Sequence, residues 1–216
     1  MLKAIIFDMD GVLTDSIEGI WDSFEILLKE YGVNFSKEYI QKNLSRSLRD
    51  NLKAWKIEYG IKDYDIAEFS KRASEIQFDT IKNEKPDKHL IELLDQAKKY
   101  NIELAVATSS MKPRALEILE ILQIKKYFKT IVTAEDIKNH KPNPEVFLEA
   151  AKRLKVDPEE CIVIEDACSG VEAAKNAKMK AIGKVSDYTC MDDFLNADKV
   201  INKFSEINID DLRELF

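Results

Sequence analysis

Ala4-Ile5-Ile6-Phe7-Asp8-Met9-Asp10-Gly11-Val12-Leu13-Thr14-Asp15 is the stretch that decides the fold. The unbroken apolar run from Ala4 to Phe7 predicts a strand covered on both faces, the kind found in parallel sheets. Two carboxylates, Asp8 and Asp10, follow where that strand ends, and Gly11 frees the backbone to turn away. In open α/β sheets, ligands bind in the crevice beyond the carboxyl ends of the strands. Two acidic groups so close repel each other and need a cation or a proton to be tolerated. A strand followed by an acidic turn is also a common arrangement, so this pair alone leaves both readings open.

Beyond that strand the hydrophobic period changes. From Ser16 to Gly32 the apolar positions Ile17, Ile20, Trp21, Phe24, Leu27, Leu28 and Tyr31 fall at helical spacing, with Ser16 suited to the N-cap and Gly32 to the stop. A second capped start appears at Ser36, and helical patterns continue over about 45–59 and 64–82 with no strand-like run between them. From Pro86 the pattern alternates. A helix over about 87–100 precedes the apolar run Ile102–Ala107, and another follows Pro113. Thr130–Thr133 reads as a short strand, and Pro144 opens a helix to about Leu154. Cys161–Ile164 reads as a strand, Ser169–Ala177 as a helix and Lys180–Gly183 as a strand, with a weak strand at 198–201. Alternating β and α units predict a Rossmann-like parallel sheet with helices on both faces. The expected organisation is an α/β core of residues 1–14 and 86–216, interrupted by an all-helical insertion over 15–85.

Composition narrows the function. Hydrophobic residues make up 45% and charged residues 34%, enough apolar material for a true core. The net charge of −7 argues against a nucleic-acid partner, which needs a basic face. No stretch approaches a membrane span, and no signal peptide is expected before the first strand. Cys161, Cys168 and Cys190 show no CxxC spacing and read as reduced thiols of a cytoplasmic protein. With only His89 and His140 in the chain, any metal should be a hard ion held by oxygen.

Three further segments follow predicted strands. Thr108-Ser109-Ser110 offers small hydroxyls and backbone N–H groups, an anion cradle or a plain helix cap. Lys141-Pro142-Asn143-Pro144 stiffens the chain around an ammonium, or simply starts a helix. Glu165-Asp166 leads through Ala167, Cys168, Ser169 and Gly170 into a helix, where acids also complement the dipole. Carboxylates, hydroxyls, a lysine and carboxylates thus follow four strand ends in order. With Val146-Phe147 and Val171-Glu172-Ala173-Ala174 alongside, this set resembles the haloacid dehalogenase superfamily, in the branch of β-phosphoglucomutase and phosphoglycolate phosphatase. The insertion sits where that family carries a helical cap.

The resemblance implies a Mg²⁺-dependent phosphatase acting on a small phosphorylated metabolite, a sugar or polyol monophosphate. Asp8 would be the nucleophile and Asp10 the general acid and base. Thr108, Ser109 and Lys141 would bind the phosphoryl group. Asp8, the Asp10 carbonyl, Asp166 and Glu165 would surround Mg²⁺. Arg49, with Arg46 nearby, is expected to hold the substrate's distal groups. Two positions depart from the pattern. His140 stands before Lys141 where relatives have a small residue, and Ile20 stands where the mutase has a histidine. Alternatives are a β-phosphoglucomutase-like phosphomutase and a phosphoacceptor receiver-type signalling domain, although a receiver has no use for the insertion. No membrane or nucleic-acid partner is expected, and a monomer is.

Overall fold

The computed structural model describes all of residues 1–216 except Ser45 and Cys190, and of Asp79 and Thr80 it describes the backbone alone. In chain order the elements are β1 (Ala4–Phe7), α1 (Ile17–Leu27), α2 (Lys37–Asn43), α3 (Leu48–Tyr59), α4 (Ile66–Ile81), α5 (Lys88–Lys99), β2 (Glu103–Ala107) and α6 (Lys112–Ile121). They continue with β3 (Thr130–Val132), α7 (Glu145–Leu154), β4 (Cys161–Glu165), α8 (Cys168–Asn176), β5 (Lys180–Lys184), β6 (Lys199–Ile201) and α9 (Ile209–Arg213).

Among the described residues the six strands form one sheet in the order β3-β2-β1-β4-β5-β6, every pair parallel. β1 sits between β2 and β4, with Ile6 opposite both Ala105 and Val163. Successive side chains of a strand point to opposite faces, and β1 divides accordingly. Ile5 and Phe7 pack with Leu90, Leu94, Ile118 and Leu119 from α5 and α6. Ala4 and Ile6 pack with Phe147, Ala150, Val171 and Ala174 from α7 and α8. All four β1 side chains are therefore buried, which is why the sequence there is continuously apolar rather than alternating. The strand order reverses at β1 and β4, the switch point where parallel sheets open a crevice at their carboxyl ends.

Helices α1 to α4 carry a separate hydrophobic cluster centred on Trp21, Phe24, Phe35 and Trp55. Trp55 is fully buried, and its ring lies 5.0 Å from Phe35 and 5.4 Å from Phe24. The Trp55–Phe24 pair is edge-to-face, and aromatic pairing of this kind adds to the burial of large apolar area. The two chain crossings between helical unit and sheet are tied together, because Thr14 Oγ1 donates to Glu84 Oε2 at 2.8 Å and the Asp15 N–H donates to Glu84 Oε1 at 3.2 Å.

Several local expectations need correction. Ser16 precedes α1 but makes no cap hydrogen bond; its hydroxyl donates instead to Asp10 Oδ1 at 2.5 Å. The first helix ends at Leu27, and a separate 3₁₀ turn over Lys29–Tyr31 runs to Gly32 in the left-handed conformation. Thr108-Ser109-Ser110 does not open α6, which starts at Lys112 after Met111. Ser36 does cap α2, accepting from the Tyr39 N–H. Of the thiols, Cys161 is buried and free and Cys168 exposed and free; Cys190 lies outside the described residues.

Candidate active site

Asp8 emerges directly from β1, with its N–H donating to the Ile164 carbonyl of the neighbouring strand at 2.9 Å. That bond fixes the carboxylate beside the end of β4, where Glu165 and Asp166 follow. Lys141, from the loop before α7, reaches in from the side. Its Nζ donates to Asp8 Oδ1 at 2.5 Å and to Glu165 Oε2 at 2.7 Å. All three side chains are at most 8% exposed, so this ammonium and its partners sit out of bulk water. Burial opposes the charge on Lys141, but the facing Asp8 and Glu165 carboxylates outweigh it and raise the ammonium's pKa. A lysine charge held this way is permanent across the physiological range.

Asp8, Glu165 and Asp166 are all buried, and each offers a ligand atom within 4.8 Å of the others. Burial first, then the charge of Glu165, pushes Asp8 up to about 8. Burial and the charges of Glu165 and Asp8 likewise raise Asp166 well above the ordinary carboxylate range. Lys141 bonds two of these three buried carboxylates, Asp8 and Glu165, and among the described residues Asp166 Oδ2 is buried with no hydrogen-bond partner. An orphaned anionic oxygen beside two others fits a hard divalent cation, which takes carboxylate ligands and keeps waters of its own. The chain also keeps room there. At Gly11 a Cβ would lie 1.9 Å from Asp166 Oδ2, so only glycine allows that carboxylate its position.

Asp10 lies apart from this cluster. Its Oδ1 accepts from Ser16 and, at 2.7 Å, from a terminal nitrogen of Arg114, while its Oδ2 accepts from Ser110 Oγ at 2.7 Å. Burial opposes ionisation, but the Arg114 guanidinium with the Ser16 and Ser110 hydroxyls holds the carboxyl below its usual range. Thr108 is buried at the end of β2, its Oγ1 accepting from the Ser110 N–H at 3.0 Å, which folds the loop back over the site.

These residues share one cavity between the sheet and the helical unit. Asp8, Asp10, Thr108, Ser109, Lys141, Glu165 and Asp166 form its floor, and Ile20, Trp21, Phe24, Arg46, Asn51 and Gln77 are among its upper walls. Ile20 therefore presents a hydrocarbon wall to the site. Arg49 is exposed and lines a different, shallower groove with Asp50, Lys53 and His140, whereas Arg46 lines the cavity itself. Sequence reasoning missed Arg114 and Gln77. A single arginine on the buried face of a helix leaves no periodic signal, and only the packing of α6 against α4 brings it to Asp10.

A crossover sheet with this acidic floor and helical roof defines a class, and the sequence comparisons agree with it. The sequence pattern of the haloacid dehalogenase-like hydrolases matches residues 5–184, and the chain belongs to that family. Within it, the chain falls in the β-phosphoglucomutase-like branch of phosphate-ester enzymes. It is 36% identical over 184 residues to a phosphorylated carbohydrates phosphatase of Thermotoga maritima, covering 84% of either chain. It is 30% identical to the β-phosphoglucomutase of Bacillus subtilis, covering 99% of this chain and 95% of that one. The crystal structure of β-phosphoglucomutase from Clostridium difficile superposes with a TM-score of 0.87 at 25% identity, over 100% of this chain and 97% of that one. Membership of this family sets aside the receiver-type reading.

Proposed function

We propose that this protein is a Mg²⁺-dependent phosphatase of a small phosphorylated metabolite, a sugar or polyol monophosphate, working through an aspartyl-phosphate on Asp8. The observation that carries the reading is the buried Asp8 carboxylate, aimed into an enclosed cavity with Lys141 at 2.5 Å and Glu165 and Asp166 beside it. The phosphatase and mutase names of the relatives support the substrate class. Cys161 and Cys168, the cysteines among the described residues, are free, which suits a reducing, cytoplasmic setting.

Asp8 attacks phosphorus in line, forming a new O–P bond as the bond to the leaving oxygen breaks. Asp10 is ionised as the site stands, so it takes up a proton from solvent before the chemical step and passes it to the departing oxygen; the carboxylate so restored then takes a proton from the water that cleaves the aspartyl-phosphate. Lys141, the Thr108 hydroxyl and the Ser109 N–H hold the phosphoryl oxygens, stabilising charge that spreads over them in the transition state. Asp8, Glu165, Asp166 and the Asp10 carbonyl would hold Mg²⁺, which offsets the repulsion between carboxylate and phosphate. Arg46 rather than Arg49 is the better placed of the two cap arginines for the substrate's distal end, since it lines the same cavity.

A phosphomutase reading has one observation in its favour, the near full-length match to a β-phosphoglucomutase. Against it stands Ile20, which puts no hydrogen-bonding group on the cavity wall to delay water. Phosphate release measured across a panel of sugar and polyol monophosphates should match substrate consumption one for one. Asp8→Asn should abolish release while leaving the fold intact. Retained turnover in that variant overturns the nucleophile assignment, and interconversion of glucose 1-phosphate with little free phosphate overturns hydrolysis.

A further inference from the structure

We propose that Arg114 is a positioning residue that aims Asp10 at the leaving oxygen and ties that aim to the helical unit through Gln77. The inference rests on the phosphatase reading above and deepens it.

The geometry is a buried chain of two bonds. One terminal nitrogen of Arg114 donates to Gln77 Oε1 at 2.6 Å, and the other donates to Asp10 Oδ1 at 2.7 Å. Arg114 is 7% exposed and Gln77 4%, so both bonds form where water competes weakly. Arg114 belongs to α6 on the sheet side, and Gln77 to α4 of the helical unit. The guanidinium is a rigid planar fork, so fixing one terminal nitrogen fixes where the other points. The remaining donors to Asp10 also come from separate places. Ser16 sits at the crossing into the helical unit and Ser110 in the loop after β2. Asp10 is thereby held from three directions, and one holder is itself anchored on a helix of the roof.

A general acid must bring its oxygen within hydrogen-bond reach of the atom it protonates. A misplacement of about 1 Å at such a group can cost about 10²-fold in rate. Arg114 has no proton to give and acts through Asp10. With Gln77 carried on α4, the aim of Asp10 depends on α4 sitting where it does, so the acid is set when the roof is in place over the site. The competing role for an arginine in such a cavity is a clamp on an anionic group of the substrate. A clamp and a positioning residue leave different kinetic marks.

Leaving-group dependence separates them. 4-Nitrophenolate departs without a proton, whereas phenolate and an alkoxide need one increasingly. The kcat/KM value covers steps up to departure of the leaving group. Arg114→Ala should lower kcat/KM for phenyl phosphate and for the best sugar phosphate of the panel by about 10²-fold, and for 4-nitrophenyl phosphate by less than about 5-fold. KM should change little, and Arg114→Lys, which keeps one charged donor, should recover part of the loss. Gln77→Ala should give a smaller loss in the same order of esters, and that loss should vanish when Arg114 is already alanine. The comparison between esters is made within one preparation, so partial misfolding does not affect it. Equal losses on all esters, a rise in KM alone, or additive effects of the two substitutions would overturn the proposal while leaving the phosphatase standing. A wild-type protein that releases phosphate from no ester overturns the phosphatase reading itself.

Discussion

Gly11 shows how one missing side chain shapes the site. Its φ is +85°, and a Cβ would meet Asp166 Oδ2 at 1.9 Å and Ile17 Cδ1 at 2.8 Å. The left-handed backbone alone costs an alanine about 1–3 kcal/mol. The methyl must in addition displace the Asp166 carboxylate. Gly11→Ala should therefore lower the melting temperature and remove turnover together. Gly60 is the control, since it also has positive φ, 68°, but nothing lies within 4 Å of its would-be Cβ. Gly60→Ala should destabilise by the backbone term alone and keep its turnover, and wild-type turnover in Gly11→Ala would show that the close approach at Asp166 does not matter.

Element junctions depend on charge as well as on packing. Asp198, just before β6, accepts from Lys175 of α8 at 2.6 Å and from Lys180 Nζ and the Ala181 N–H of β5 at 3.0 and 2.8 Å. Burial opposes its ionisation, but these donors win and hold its pKa below the ordinary value. A depressed carboxylate contributes stability that is complete above the unfolded value of about 3.9 and fades as pH falls through the folded one. Both lysines are over a third exposed, which keeps the contribution near 1 kcal/mol. Asp198→Asn should lose about that much at neutral pH and show a shallower loss of stability in acid than the wild type, read from urea melts at pH 3 to 7. Equal acid slopes would remove Asp198 from the account. In the helical unit, Trp55 is the test of packing. It is fully buried among Phe24 and Phe35, and its indole N–H donates to Tyr39 Oη at 3.2 Å. Trp55→Ala should cost about 3–5 kcal/mol, and a loss under about 1 kcal/mol in denaturant melts would mean that the cluster is loosely packed.

For the whole molecule, the crowding of negative charge at the sheet's switch point sets a condition on stability. Lys141 pairs with Asp8 and Glu165, while Asp166 Oδ2 has no hydrogen-bond partner among the described residues. A cation that binds the folded state alone stabilises it by mass action, by about 2.7 kcal/mol at one hundred times its Kd. Mg²⁺ should therefore raise the melting temperature and chelation should lower it, with turnover following. Asp166→Asn should abolish the shift, and a melting temperature indifferent to Mg²⁺ in the wild type would contradict the metal assignment.

The sequence by itself determined the parallel sheet, because four consecutive buried side chains on β1 require cover on both faces, and that requirement is written in the run Ala4 to Phe7. It determined the order of the four site segments as well, since each follows a strand and strands of a parallel sheet all end on one side. What the chain could not state locally was which hydroxyls and cations meet which carboxylates. Ser16 reads as a helix cap and bonds Asp10 instead, and Arg114, which sequence reasoning missed, pairs with Asp10. The sequence reading put Arg49 at the substrate, yet Arg46 lines the cavity and Arg49 a separate groove. These contacts join residues from different elements, Asp10 and Arg114 being 104 positions apart, so only the packing of α4 and α6 over the sheet decided them.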